Sequence, residues 1–418
     1  MNIAKVTARE IFDSRGWPTV ECEITLSDGT TVSGSVPAGL SKGSHEAQEL
    51  RDGNSRLRGK GVSRAVENIE NIIAPILIGK EPDVVSMDLA MIELDGTPNK
   101  AKLGANATLA VSAAIFRAQA AMGQMRDFEL AAYLCDYNSV SIPFPMFNVI
   151  NGGMHAPTKF PVQEILIIPL GSQSFRMCME AALTAFYNLY EVLKKHKKRM
   201  CIGDEGGFAC DFTSLEQALD MLMEAIERTQ KERSERFVIG LDIAASTLYE
   251  PRKKVYNWQG QKVTSDDMIG HYVSLASRYP IYSIEDGLDQ DDFDGWVAMT
   301  ALLKDKVNLV GDDLFATNPS RIVHGIETGA ATSVIIKPNQ IGTVTETLQA
   351  IKLCKEYEMG VIVSHRSGET SDPLIVDLAV GTSAGYIKAG GCTRGESMDK
   401  YNELLRIEDF LMLSLLNG

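Results

Sequence analysis

Six short, β-rich apolar runs recur in the second two-thirds of the chain, at 237–243, 279–284, 307–310, 333–336, 360–363 and 385–387. Between them apolar residues repeat at helical spacing, as in Leu348, Ile351 and Cys354. Strands that alternate with helices form βα units and a parallel sheet. Segment 137–418 is close to the about 250 residues of a (β/α)8 TIM-type barrel; a doubly wound α/β sheet is the competing arrangement. Each run ends in a chemically potent residue: Asp242, Glu285, Asp312, Lys337, the trio His365, Arg366 and Ser367, and Lys388. In a barrel the C-terminal strand ends converge on one face, where active sites are built.

Residues 1–136 read differently. Val20, Cys22, Ile24 and Leu26 alternate with Thr19, Glu21, Glu23 and Thr25, the period of a half-buried strand. Asp28-Gly29 marks a hairpin turn, and a second strand ends near Val36. Helical spacing follows from about Arg64, and an Ala- and Leu-rich helix is expected over 106–122. This is an α+β pattern, and the two prolines in the extended stretch 137–147 place a domain boundary there. The expected domains are thus 1–136 and 137–418.

Charge and cysteine usage narrow the function. The 418 residues carry 55 acidic against 41 basic side chains, a net −14, which argues against a nucleic-acid binder. No run approaches the about 18 apolar residues of a membrane span. The opening MNIAKVTARE has no apolar export core, so a cytoplasmic protein without membrane insertion is expected. Seven scattered cysteines form no C-x-x-C pair, so neither a disulfide framework nor a zinc site is expected. The acids carry the interest instead. Burying three carboxylates together is costly unless they hold a cation, and hard oxygen donors favour Mg²⁺ or Mn²⁺.

The cationic half complements them. Arg366, Ser367 and Gly368 offer a guanidinium fork, a hydroxyl and a turn at an expected helix N-terminus, which suits a phosphate. A lysine beside dications in a closed pocket is expected to have a lowered pKa, which makes Lys337 a usable base. Asp204 and Glu205 sit among Gly203, Gly206 and Gly207; His155 follows Asn151-Gly152-Gly153-Met154, and Gln163-Glu164 lies nearby. Two motifs are decoys. Gly39-Leu40-Ser41-Lys42-Gly43 has the spacing of a hydrolase nucleophile elbow but follows an antiparallel hairpin. Gly59-Lys60-Gly61 lacks the third glycine of a dinucleotide loop.

Several strings, in order, now resemble one family. They include Asp13-Ser14-Arg15-Gly16, Leu103-Gly104-Ala105-Asn106-Ala107, Ser283-Ile284-Glu285-Asp286-Gly287-Leu288 and Asn339-Gln340-Ile341-Gly342. The most specific is Ser364-His365-Arg366-Ser367-Gly368-Glu369-Thr370. The sequence resembles the enolases over essentially its whole length. The resemblance implies an N-terminal α+β domain capping a barrel with an irregular ββαα start. It also implies reversible dehydration of 2-phosphoglycerate to phosphoenolpyruvate in glycolysis and gluconeogenesis. By the same resemblance, Asp242, Glu285 and Asp312 would ligate a tight Mg²⁺, and Ser41 a second, substrate-dependent Mg²⁺. Lys337 would take the C2 proton, and Glu205, assisted by Glu164, would protonate the departing hydroxyl. Arg366 and Ser367 would hold the phosphate; His155, Gln163, His365 and Lys388 would make the remaining contacts. A homodimer or an octamer of dimers is implied.

Departures from the family pattern cluster in loops. Trp17 stands where an Asn is usual, Ala38, Leu40 and Lys42 alter the first loop, and Met154 replaces a Ser. Pro157-Thr158-Lys159 replaces an Asp-Asn-Asn-like run, and Ser397 replaces an Arg. They motivate an alternative expectation: an enolase-like enzyme acting on a related phosphorylated or phosphonylated acid.

Overall fold

The structure, a computed structural model, describes residues 1–40 and 43–417. Three antiparallel strands open it: β1 (Ile3–Phe12), β2 (Pro18–Leu26) and β3 (Thr31–Ser35), in the order β1-β2-β3. The alternation in β2 has its expected consequence. Val20, Cys22, Ile24 and Leu26 are buried, while Glu21 and Glu23 lie on the other face, where Arg9 pairs with both. Gly29 takes the left-handed conformation (φ 92°) that the β2–β3 turn demands.

The helix Ala105–Met122 packs against this sheet and is buried on nearly every face. Its alanines let the backbones approach closely. A Cβ on Gly34 of β3 would lie 2.7 Å from Ala110 O, Ala113 Cβ and Ala114 N, so only glycine fits there. The preceding helical run, expected from Arg64, holds from Ser63 to Leu77 with a π-helical turn at Ile69–Ile73.

The remainder is an α/β barrel capped by this N-terminal α+β unit. Its first stave is one extended stretch in two pieces, β4 (Phe144–Pro145) and β5 (Phe147–Asn151). The others are β6 (Glu164–Leu170), β9 (Arg236–Asp242), β13 (Ile281–Glu285), β14 (Asn308–Gly311), β15 (Ser333–Ile336), β16 (Gly360–Ser364) and β17 (Tyr386–Lys388). On one side β4 pairs with β17; on the other β5 pairs with β6, so the sheet curls until its first stave meets its last. A short hairpin, β7 (Cys201–Ile202) and β8 (Phe208–Ala209), extends from β5. A separate meander, β10 (Tyr249–Glu250), β11 (Val255–Trp258) and β12 (Gln261–Val263), lies between β9 and β13.

The barrel opens with the irregular ββαα start that the family resemblance implies. The sheet is not all parallel, because β6 runs antiparallel to both β5 and β9. The link between β5 and β6 contains no crossover helix, and Gly152 N–H donates to Gln163 O across it, as in a hairpin. Reversal matters for the site: the start of β6, not its end, reaches the face where the other strands finish. Glu164 is therefore the register partner of Asp242.

Met146, Leu166, Ile168, Val238, Val310, Ile335 and Ile362 form a small cluster inside the ring. A larger core lies between the ring and its helices. Several of those helices begin on a side-chain cap: Ser174, Ser214, Thr264, Asp292, Asn318 and Thr343 each accept a backbone N–H of the first turn. The cap is bolted on by buried polar groups. Asp88 accepts from Ser112 Oγ at 2.9 Å and from Thr345 N at 3.0 Å, and Arg117 pairs with Asp372 at 2.6 Å.

Candidate active site

The residues that end the strands meet around one narrow, nearly filled cavity with about 10 Å3 of free space. Asp242, Glu285 and Lys388 are the last residues of β9, β13 and β17; Asp312, Lys337 and His365 follow β14, β15 and β16 by one. Strand register sets Glu285 beside Asp242, and Lys388 beside Ser364. Glu164 arrives from the start of β6, and Glu205 from the tip of the β7–β8 hairpin. His155 comes from the loop between β5 and β6.

Two lysines neutralise one side. Lys388 Nζ lies 2.9 Å from Asp242 Oδ2, 2.8 Å from Glu285 Oε2 and 3.2 Å from Glu164 Oε2. Lys337 Nζ pairs with Asp312 Oδ2. Gln163 Nε2 donates to Asp242 at 3.2 Å, and Gln340 Nε2 to the other Asp312 oxygen at 2.9 Å. Across the cavity, His155 Nδ1 lies 3.3 Å from Glu205 Oε2 and 3.5 Å from Glu164 Oε1. His365 Nε2 lies 3.6 Å from the same Glu205 oxygen.

Arg366 and Ser367 sit at the edge, under the first loop. Arg366 holds Glu46 in a two-point contact of 2.9 and 3.1 Å, and donates to Asn339 Oδ1 at 3.0 Å. Ser367 Oγ accepts from Leu40 N at 2.9 Å, and Ala38 bridges Gly368. A Cβ on Gly39 would fall 1.8 Å from the Arg366 guanidinium, so the loop can lie this close only as glycine. No helix starts at Arg366, contrary to expectation; the next begins at Leu374, because residues 365–373 are drawn across to the cap by Ser14, Ala38 and Ser35. Ser41 and Lys42 lie outside the described residues.

With that geometry in place, two family models match the chain. Residues 3–133 match the enolase N-terminal domain, and residues 139–414 the enolase C-terminal TIM barrel domain. The chain belongs to the enolase family. It is accordingly an enzyme of the family's lyase type.

Proton affinities in this enolase-family site divide along the same line. Burial opposes charge on Lys388, yet Asp242, Glu164 and Glu285 raise its pKa well above the ordinary value. Lys337 is raised too, because Asp312 outweighs burial. That reverses the lowered value expected from sequence, which presumed the carboxylate charge to be neutralised by dications. Asp312 is lowered against the effect of burial by the Lys337 charge. Glu285 is pushed well up by burial and by Asp242. On the far side, burial and the Glu205 charge push Glu164 to about 8. Burial resists charge on Glu205, but His155 and His365 hold it well below the usual range. His155 rises to about 10 through Glu205 and Glu164, against burial.

The donor chemistry fits a hard dication. Asp242, Glu285 and Asp312 are buried carboxylates on neighbouring strand ends with no thiolate among them. Asp286, Asp312 and Asp313 form a second acidic group, with oxygens within 4.8 Å of one another, as do the ligand atoms of His155, Glu164 and Glu205.

Sequence reasoning gave no role to Glu46, Asn148 or Gln340. Asn148 Nδ2 approaches Glu205 at 3.4 Å, and Gln340 and Glu46 hold Asp312 and Arg366. None stands at a strand end; only the Asn339-Gln340 string signalled one of them.

Proposed function

We propose that the protein interconverts 2-phosphoglycerate and phosphoenolpyruvate plus water. The observation that carries this is the cavity's two-sidedness: a lysine with strand-end carboxylates on one wall, a proton-sharing Glu164–Glu205 pair on the other. Proton removal from C2 and loss of the C3 hydroxyl need a base and an acid on opposite sides, with pKa values pushed apart.

Lys337 is the base in this reading. Asp242, Glu285 and Asp312 are the residues that would hold Mg²⁺, which supplies positive charge to the substrate carboxylate and relieves Lys337 of the Asp312 charge. Ser41 is the proposed contact for a second Mg²⁺. Lys388 adds fixed positive charge where the carboxylate's charge grows. Glu205 faces the leaving hydroxyl, and Glu164, protonated up to about pH 8, is its proton reserve. His155 and His365 bear on Glu205, and Gln163 steadies Asp242. Arg366 and Ser367 receive the phosphate. The free cysteines and the absence of a membrane-spanning helix among the described residues support a cytoplasmic enzyme, proposed here as a homo-oligomer.

The test is absorbance growth of phosphoenolpyruvate from 2-phosphoglycerate at millimolar Mg²⁺. Saturable, Mg²⁺-dependent turnover is expected; none at any Mg²⁺ concentration rejects the reading. A second reading, a related phosphorylated or phosphonylated acid as substrate, is favoured by one observation. Trp17, Gly39 and Leu40 line a surface cavity of about 540 Å3 with Arg15, Glu49, Arg51 and Lys60 beside the first loop. A substrate panel in which an analogue outcompetes 2-phosphoglycerate would select it.

A further inference from the structure

After β14 the backbone does something costly. Ala316 and Thr317 both adopt left-handed conformations, with φ of 47° and 54°. For a β-branched residue such as threonine this is a genuine outlier. A turn alone would be served by glycine or asparagine. Thr317 is fully buried, and its hydroxyl has two partners.

Those partners complete a ring. The backbone N–H of Lys337 donates to Thr317 Oγ1 at 2.9 Å. The Thr317 hydroxyl donates to Gln340 Oε1, 2.7 Å away. Gln340 Nε2 donates to Asp312 Oδ1 at 2.9 Å, and Asp312 Oδ2 accepts from Lys337 Nζ. The path thus leaves Lys337 at its backbone and returns at its ammonium. Because the Asp312 carboxylate can only accept, Gln340 must turn its Nε2 to it and its Oε1 to Thr317, and this fixes the direction of every bond in the ring. Gln340 is 1% exposed, a place where a leucine or methionine would fill the space without burying an amide.

We propose that Thr317 and Gln340 are positioning residues that fix Asp312 and Lys337 relative to each other. Neither lines the site cavity; they set which Asp312 oxygen faces Lys337 and which faces away. Backbone strain at Thr317 persists because the hydroxyl is needed at that point. The roles of Asp312 and Lys337 are taken from the proposed function; the juxtaposition itself is independent of it.

The test uses Thr317→Val, Gln340→Met and their double variant in the full chain, with Thr317→Ser as the conservative rescue. Mg²⁺ binding is measured by titration calorimetry without substrate. Each single variant is expected to bind Mg²⁺ about tenfold more weakly or worse, the range known for residues that orient ligands. The double variant is expected to be no weaker than the worse single, since both break one ring. With 2-phosphoglycerate, kcat is expected to fall about tenfold with KM within about threefold, and Thr317→Ser to recover kcat to within about threefold. Folded Thr317→Val and Gln340→Met proteins with wild-type Mg²⁺ affinity overturn the proposal, as does a wild-type chain that binds no Mg²⁺. If Thr317→Val does not fold, Gln340→Met and Gln340→Glu carry the same measurement. Lack of wild-type turnover rejects the substrate, and the Mg²⁺ titration still decides the ring.

Discussion

The two walls of the cavity are built on opposite principles. On the Lys337–Lys388 wall every carboxylate has a partner: two ammonium groups face Asp242, Glu285 and Asp312 at hydrogen-bonding distance, and Gln163 and Gln340 take further carboxylate positions. On the His155–His365 wall the fit is looser: His155 Nδ1 and His365 Nε2 stand 3.3 and 3.6 Å from Glu205 without a well-formed hydrogen bond, and His155 Nε2 has no hydrogen-bond partner. Polar atoms are rarely left so in a core, because each costs about 1–3 kcal/mol. The first wall is preset, as the proposed metal and proton-abstraction site requires. The second is poised, with groups that find their partners when a ligand arrives.

The preset wall is the one whose loss should be felt most. Lys337→Met is expected to lower kcat about 10⁴-fold, near the upper bound for a general base, while leaving phosphate binding at Arg366 intact. Steady-state kinetics and inorganic phosphate titration would separate the two; equal losses in both would blur the distinction between walls. Glu285→Gln should weaken Mg²⁺ about 100-fold, read by calorimetry, since it removes one carboxylate of the trio.

The poised wall is better probed by pH. A carboxyl whose folded pKa is raised keeps its proton where the unfolded chain has lost it. Its contribution to stability is whole below the ordinary value near 4.5 and is lost as pH rises through about 8. For activity the same sign holds: kcat should fall about tenfold per pH unit above about 8 as Glu164 ionises. Glu164→Gln should remove that limb from the kcat profile. An unchanged limb assigns the proton elsewhere. At the small end, Met154 is 50% exposed, next to His155 in the chain but outside the cavity lining, and Met154→Ser should change kcat/KM by only about twofold.

The two walls were also unequally legible. The preset wall could be read directly, because βα rhythm places strand-end residues on one face whatever the fine structure: Asp242, Glu285, Asp312, Lys337 and Lys388 all came from that rule. Glu164 breaks it. β6 is buried along almost its whole length, so its pattern carries no alternation and no direction. The clue to reversal was the short link from Asn151 to Gln163, with Pro157 and Pro161 in it and room for no crossover helix, only the 3-10 turn Gly153–His155. Glu205 rides a hairpin of two-residue strands, too short for any periodicity. Glu46, Thr317 and Gln340 act through contacts made only when distant segments meet, and no spacing reports those.

The division of labour between the walls has one direct test: hydrogen exchange at C2 of 2-phosphoglycerate in D₂O with Mg²⁺, followed by NMR for the Glu205→Gln variant. Deuterium should enter C2 at an appreciable rate while phosphoenolpyruvate formation falls about 10³-fold, because Lys337 still removes the proton and the hydroxyl is no longer assisted. Lys337→Met should abolish both. Loss of exchange together with elimination in Glu205→Gln, or normal phosphoenolpyruvate formation, would contradict two separately working walls.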